Sequence, residues 1–429
     1  MRRTMGTIVG LSVILAMTGV AFASTTSAVT HTRASTITVR PANGSALTIA
    51  QIGQLRQQAA NGPEMVGTMV KTDRALDYVG TDHLTLSYPG ASYVKVHFAH
   101  LMMRPGDYVT VSNAKHTESY AYRTSSPSAE WGMSVTGDTA VVTLHHRAPS
   151  GLLDAMLAPS GVLVDEVARG FTPVESAKQQ KSDDAARNEA IREVAAATDP
   201  GNREESVCGS DDSIDAVCYK ATDPLAYKAS KAVARILING TELCTAWRVG
   251  TTDRLLTDHH CFSTLADLHN TEVWFNYECV VCGGYDTLAT TKVWGDHLFA
   301  TSTNLDFTLF SVHNFAQIKK FGYLTITTHA PKAGEEIYIP QHPEGDPTEI
   351  AMSSDDDQGG DCRVDDPTAD GFIANSDVSY YCDTQGGSSG SPVLSRTSNR
   401  VIALHHFGGC PNSGVRIALV YAKIKKYLG

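Results

Sequence analysis

The sequence predicts an all-β protein in two parts: a small β-sandwich, then a larger all-β domain closed by one carboxy-terminal helix. Three observations predict it. Period-two alternation recurs between residues 77 and 144, and short apolar runs punctuated by Gly, Asp and Pro fill 207–429. No amphipathic stretch of helical length precedes Tyr421-Ala422-Lys423-Ile424-Lys425-Lys426-Tyr427-Leu428. At 429 residues the chain also exceeds one ordinary domain.

Taken in order, Met1-Arg2-Arg3, an apolar core from Thr7 to Val20, and Ala21-Phe22-Ala23 form the pattern of a secretory signal over 1–23. The apolar core falls short of the ~20 residues that a membrane span requires. The Ser/Thr-rich stretch 24–40 is expected to be disordered. Residues 41–173 are expected to be β-rich: Tyr93-Val94-Lys95-Val96-His97-Phe98, Asp107 to Val111 and Thr139 to Leu144 alternate. Arg104-Pro105-Gly106-Asp107 and Thr136-Gly137-Asp138 supply turns. No catalytic residue types cluster there, and His97, His100, His145 and His146 are expected on strand surfaces. This region is therefore expected to be a binding or inhibitory module. Residues 174–206, rich in charge and alanine, suit an exposed linker open to proteolysis. The second domain spans 207–429.

The chain carries 35 Lys+Arg against 46 Asp+Glu, a net charge of −11. That balance argues against nucleic acid or an anionic membrane as partner, since either requires a basic face. All nine cysteines lie between Cys208 and Cys410. In an exported chain that distribution points to disulfides, with one thiol left over at Cys279 or Cys282. His259, His260, Cys261 and the Cys279–Cys282 pair also offer zinc-ligand types, but an oxidising compartment favours disulfides. No metal and no cofactor are expected.

Two strings carry chemistry. Gly387-Ser388-Ser389-Gly390-Ser391-Pro392 sets a serine in a glycine-rich bend, where backbone N–H groups can converge on one point. Leu256-Thr257-Asp258-His259-His260-Cys261 ends an apolar run on histidine and cysteine, and between the two lies Asn304-Leu305-Asp306-Phe307-Thr308-Leu309. A serine hydroxyl becomes nucleophilic only with a base beside it and a group to orient that base. Histidine, aspartate and serine in this chain order supply those parts.

These strings resemble the trypsin-like, chymotrypsin-fold serine peptidases, and within them the bacterial branch of lysyl and glutamyl endopeptidases, over about 207–429. The resemblance implies a double β-barrel and peptide-bond hydrolysis. Ser389 would be the nucleophile, His260 the base, Asp306 its orienter, and the N–H groups of Gly387 and Ser389 the oxyanion hole. The family's base stands immediately before the cysteine, which selects His260 over His259. By the same likeness Cys244 should bridge to Cys261, Cys208 to Cys410, and Cys218 to Cys279 or Cys282, leaving Cys362 and Cys382 for each other. Asp383, six residues before Ser389, would line the base of a pocket for Lys or Arg side chains, with Thr384, Gly408, Gly409 and Gly414 around it. His406, before an aromatic-Gly-Gly, would instead suit an acidic side chain. Ser388 stands where animal trypsins carry an activating aspartate, so activation is expected by removal of a covering segment within 24–206. The expected partners are protein or peptide substrates, and the expected state is a secreted monomer.

Overall fold

The computed structural model describes residues 62–126, 129–147, 159–179, 181–182, 207–357 and 360–428. The expected signal 1–23, the tail 24–40 and most of the linker lie outside the described residues. Mostly strands with few helices, the architecture matches the all-β expectation.

Alternating side chains build the first part as two sheets. One orders Gly67–Leu76, Gly161–Gly170 and Tyr93–Met102, with the short Glu130–Trp131 and Val135–Thr136 on its outer edge. The other orders His83–Ser87, Thr139–His145, Tyr108–Asn113 and Ser119–Tyr122. Val94, Val96, Phe98, Val109, Val111, Val142 and Val164 meet between them. His97 bonds Asp165 at 2.7 Å and packs on Trp131, while His145 bonds Thr110 at 2.8 Å.

The second part begins with a closed, antiparallel six-strand barrel. Its strands follow each other as Glu242–Arg248, Val233–Ile238, Thr271–Phe275, Thr291–Ser302, Phe307–Val312 and Leu255–Thr257. Trp247 then pairs with Leu256 to close the ring. Ile236, Ala246, Phe262, Val273, Phe275 and Phe310 fill it. A second sheet orders Ile214–Asp215, Glu349–Ala351, Ile337–Gln341, Pro392–Ser395, Val401–Phe407, Asn412–Arg416 and Asp377–Tyr380. A further core draws Trp247 and Leu309 from the barrel together with Tyr338, Leu394 and Leu404 from this sheet. The closing helix, expected over 421–428, runs instead over Ile417–Ile424 and buries Ile417, Val420 and Ile424 against that core.

One strand face departs from the alternation. Lys95 should face water opposite Val94 and Val96, yet it is fully buried, because the sandwich packs that face on the barrel. Its ammonium pairs with Glu272 and sits 4.2 Å over the Trp294 ring. Glu272 also accepts from Ser134 N (2.9 Å), Ser134 Oγ (2.6 Å) and Trp274 Nε1 (2.9 Å). Lys292, equally buried, donates to Ser134 O at 2.9 Å and pairs with Glu118 at 2.6 Å. Burial alone would push the Glu272 carboxyl up, but the charges of Lys95 and Lys292 outweigh it and hold it below its ordinary value. Glu272→Ala should therefore cost about 3–5 kcal/mol in urea unfolding of the full chain, because it strands buried ammonium groups. The double change Lys95→Met with Glu272→Leu should recover much of that loss.

Candidate active site

The barrel fixes one half of the site. His260 follows the strand Leu255–Thr257, which hydrogen-bonds to Phe307–Val312, the strand that Asp306 introduces. Asp306 sits at φ 42°, in the left-handed region that a short polar side chain tolerates best among non-glycine residues. Its Oδ1 accepts the His260 backbone N–H at 3.0 Å and its Oδ2 the ring Nδ1–H at 2.8 Å. The two bonds hold ring and backbone together and assign the ring proton to Nδ1, which leaves Nε2 as the acceptor. Nε2 is buried and has no hydrogen-bond partner among the described residues. Burial opposes a charged imidazole, but the Asp306 charge and hydrogen bond outweigh it, so the His260 pKa lies above its ordinary value. Burial likewise opposes the Asp306 charge, and the His260 and His406 rings overcome it, holding the carboxyl far below the usual range.

His259 turns elsewhere, its two ring nitrogens 2.7 Å from Thr301 Oγ1 and 3.2 Å from Thr303 Oγ1. Of the adjacent histidines, His260 faces the carboxylate.

The second sheet supplies Ser389. Gly387 (φ 90°) and Gly390 (φ 88°) bend the chain on either side of it. The Ser388 N–H closes onto Gln385 O at 3.0 Å and the Gly390 N–H onto His405 O at 2.9 Å. Among the described residues no acceptor takes the N–H groups of Gly387 or Ser389. Thr245 N donates to Ser389 O at 2.9 Å, and Thr245 Oγ1 to Gly387 O at 2.9 Å. Cys261 Sγ, one residue past His260, lies 3.9 Å from Ser389 O. The bend is thus held against the segment that carries His260.

Two residues expected in a substrate pocket have their polar atoms engaged inside the protein. His406 is 2% exposed, with Nε2 2.7 Å from Asp377 Oδ2 and Nδ1 3.4 Å from Asp306 Oδ2. Both nitrogens face buried carboxylates, so the ring stands behind Asp306 rather than open to a substrate. Burial opposes its charge, yet Asp377 and Asp306 raise its pKa to about 10. Asp383 is equally enclosed, its Oδ1 accepting from Cys208 N at 2.9 Å and its Oδ2 from Asp212 N at 2.7 Å. It anchors the segment that begins the second domain, and burial pushes its carboxyl up to about 7. Thr384 is buried, Gly408 is exposed, and Gly409 donates its N–H to Asn412 Oδ1 at 3.0 Å. Gly414 lies inside the strand Asn412–Arg416, where a Cβ would come 2.7 Å from Leu404 O.

Disulfides join Cys208 to Cys410, Cys218 to Cys282, Cys244 to Cys261, and Cys362 to Cys382. Cys279 is the free, buried thiol, pushed up to about 12 by burial. Cys261 and Cys282 are spent in separate bridges, which splits the zinc-type ligand set.

Asp258 and Asp377 were not singled out by sequence reasoning. Asp258 is fully buried, its Oδ2 4.0 Å from His260 Nδ1, and burial together with the Asp306 charge pushes its carboxyl well up. Its signal was available: an acid two residues before a histidine at the end of an apolar run. Asp377 carries no comparable local signal.

Residues 209–416 match the family described as Lysyl endopeptidase, C-terminal domain. Secreted RxLR effector protein 73 of Plasmopara viticola is 39% identical over 224 residues, covering 50% of this chain. The chain spans about half of that relative, 54% of its length. Among solved structures, a Glu endopeptidase in complex with MPD is 18% identical, covering 52% of this chain and 98% of its own, with a TM-score of 0.37. An M. tuberculosis protease in its active form is 13% identical, covering 53% and 92%, with a TM-score of 0.35.

The bend beside Ser389 has little tolerance. A Cβ at Gly390 would overlap Thr245 O, at a φ that only glycine adopts freely. Gly390→Ala should destabilise the chain by more than about 1 kcal/mol, measured by urea unfolding.

Proposed function

We propose that residues 207–429 form a domain of the trypsin-like serine peptidase family and that this chain is an exported serine endopeptidase. The observation that carries the reading is an imidazole tied by Nδ1 to a buried carboxylate, with Nε2 unpartnered, on the residue before Cys261, whose Sγ lies 3.9 Å from Ser389 O in a glycine bend. In the reaction His260 Nε2 takes the proton of Ser389 Oγ as the oxygen attacks the scissile carbonyl. The N–H groups of Gly387 and Ser389 stabilise the oxyanion, and Asp306 stabilises the imidazolium. His260 then protonates the leaving amine, the acyl-enzyme remains on Ser389, and water removes it by the same steps in reverse.

Export is supported by the four disulfides and by the secreted relative. Cleavage after Lys is proposed from the lysyl endopeptidase family match alone. Asp383 does not support it, because both its oxygens are occupied by backbone N–H groups. A second reading has one observation in its favour: a relative is named as an effector, which suits a protease fold that binds without cutting.

Labelling with a fluorophosphonate separates the two readings. An activated Ser389 should be labelled in the processed protein and not in Ser389→Ala, and a silent binder would not react. Asp306→Asn should lower kcat by about 10⁴-fold through loss of the correct tautomer. Only neutral His260 can accept the proton, and its pKa is raised by Asp306. Activity should therefore appear as pH rises through a value above the ordinary ~6.5, and disappear below it. Digestion of a peptide library reads the P1 preference, which Asp383→Asn should leave unchanged.

A further inference from the structure

The barrel strand Glu242–Arg248 has a stretch of edge that the barrel itself does not use. Its far end, Trp247–Arg248, pairs with Leu255–Leu256, but Glu242–Leu243 pairs with a segment from outside the barrel. That segment is Glu64–Met65, at the start of the sandwich. It runs antiparallel, with Glu64 opposite Leu243 and Met65 opposite Glu242, and Val66 N donates to Thr241 O at 2.8 Å. Two residues beyond Leu243 stands Thr245, whose N–H and hydroxyl hold Ser389 O and Gly387 O. The added strand therefore lies along the approach to the nucleophile bend. It also touches that bend: a Cβ built on Gly386 would overlap the Glu64 carboxylate.

Extended peptides bind such edges by adding a strand, gaining main-chain hydrogen bonds whatever their side chains. We propose that the Glu242–Leu243 edge is a docking edge for extended substrate, and that Glu64–Met65 occupies it as an intramolecular blocking strand. This rests on the serine endopeptidase reading and names its regulation. The blocking strand is held firmly from behind. Phe171 N bonds Val66 O at 2.9 Å, Val66 packs with Tyr93, Leu237, Leu243 and Trp274, and Tyr93 Oη donates to Gly240 O at 2.8 Å. While the sandwich stays docked, any substrate competes with a strand at high local concentration, and its apparent affinity falls with the fraction of open edge.

The test uses the full chain and two probes. An internally quenched peptide extending several residues either side of a lysine reads the edge, while a small fluorophosphonate, which needs only Ser389, reads the nucleophile. Glu64→Pro removes a strand N–H, and Glu64→Ala removes the carboxylate against Gly386 without touching the backbone. Peptide kcat/KM should rise on the order of tenfold in Glu64→Pro and less in Glu64→Ala, with fluorophosphonate labelling changed by under about threefold. If both variants are labelled normally and peptide hydrolysis stays at the parent rate, the blocking strand is overturned and the endopeptidase reading stands. If no chain is labelled, even after limited proteolysis of the sandwich, both fall. Thermal unfolding checks the fold of Glu64→Pro; should it melt early, Glu64→Ala alone decides, and a parent-like peptide rate there overturns the proposal.

Discussion

The Asp306 carboxylate is the constraint on which the site depends. Buried alone it would take a proton, since desolvation penalises the charge. It stays ionised because two N–H groups of His260 point at it and the His406 ring stands 3.4 Å away. Those groups come from the barrel and from the second sheet, so one carboxylate ties the end of a barrel strand to the strand Val401–Phe407. The consequence reaches its neighbours. Burial and the Asp306 charge push Asp258 towards the neutral form, while His406, between Asp306 and Asp377, is held towards the charged form. Charge alternates along Asp306, His406 and Asp377, so each member of that row faces an opposite charge.

A second buried ionic group plays a similar part between the sandwich and the barrel. Lys95, Glu272, Lys292 and Glu118 need not add net stability, because their desolvation offsets most of the attraction. What they fix is position. Any slide of the sandwich would leave an ammonium or a carboxylate unpaired in an apolar setting. That placement in turn brings Glu64–Met65 against the barrel edge beside the nucleophile bend, so docking of the first part and the state of the site are physically linked.

Much of this was legible. The apolar alternation of Tyr93 to Phe98 marked a strand, and glycines on both sides of Ser389 marked a bend needing positive φ. The resemblance, by setting the base immediately before a cysteine, selected His260 over His259, and in the structure it is His260 that bonds Asp306. Lys95 was misleading for a plain reason: alternation tells which side chains share a face, and says nothing of what later packs on it. Asp383 and His406 misled similarly. The resemblance set both at a substrate pocket, but the partner that each side chain takes depends on distant segments: the N–H groups of Cys208 and Asp212 for Asp383, and the Asp377 carboxylate for His406.

The sequence by itself determined the local periodicities, the bend and the order of histidine, aspartate and serine, because these depend on neighbours along the chain. Only the tertiary structure decided which cysteine stays free, which carboxylates are charged, and which segment covers the barrel edge. Each of those outcomes is set by burial and by partners tens to hundreds of residues away, and such partners exist only once the sheets have closed.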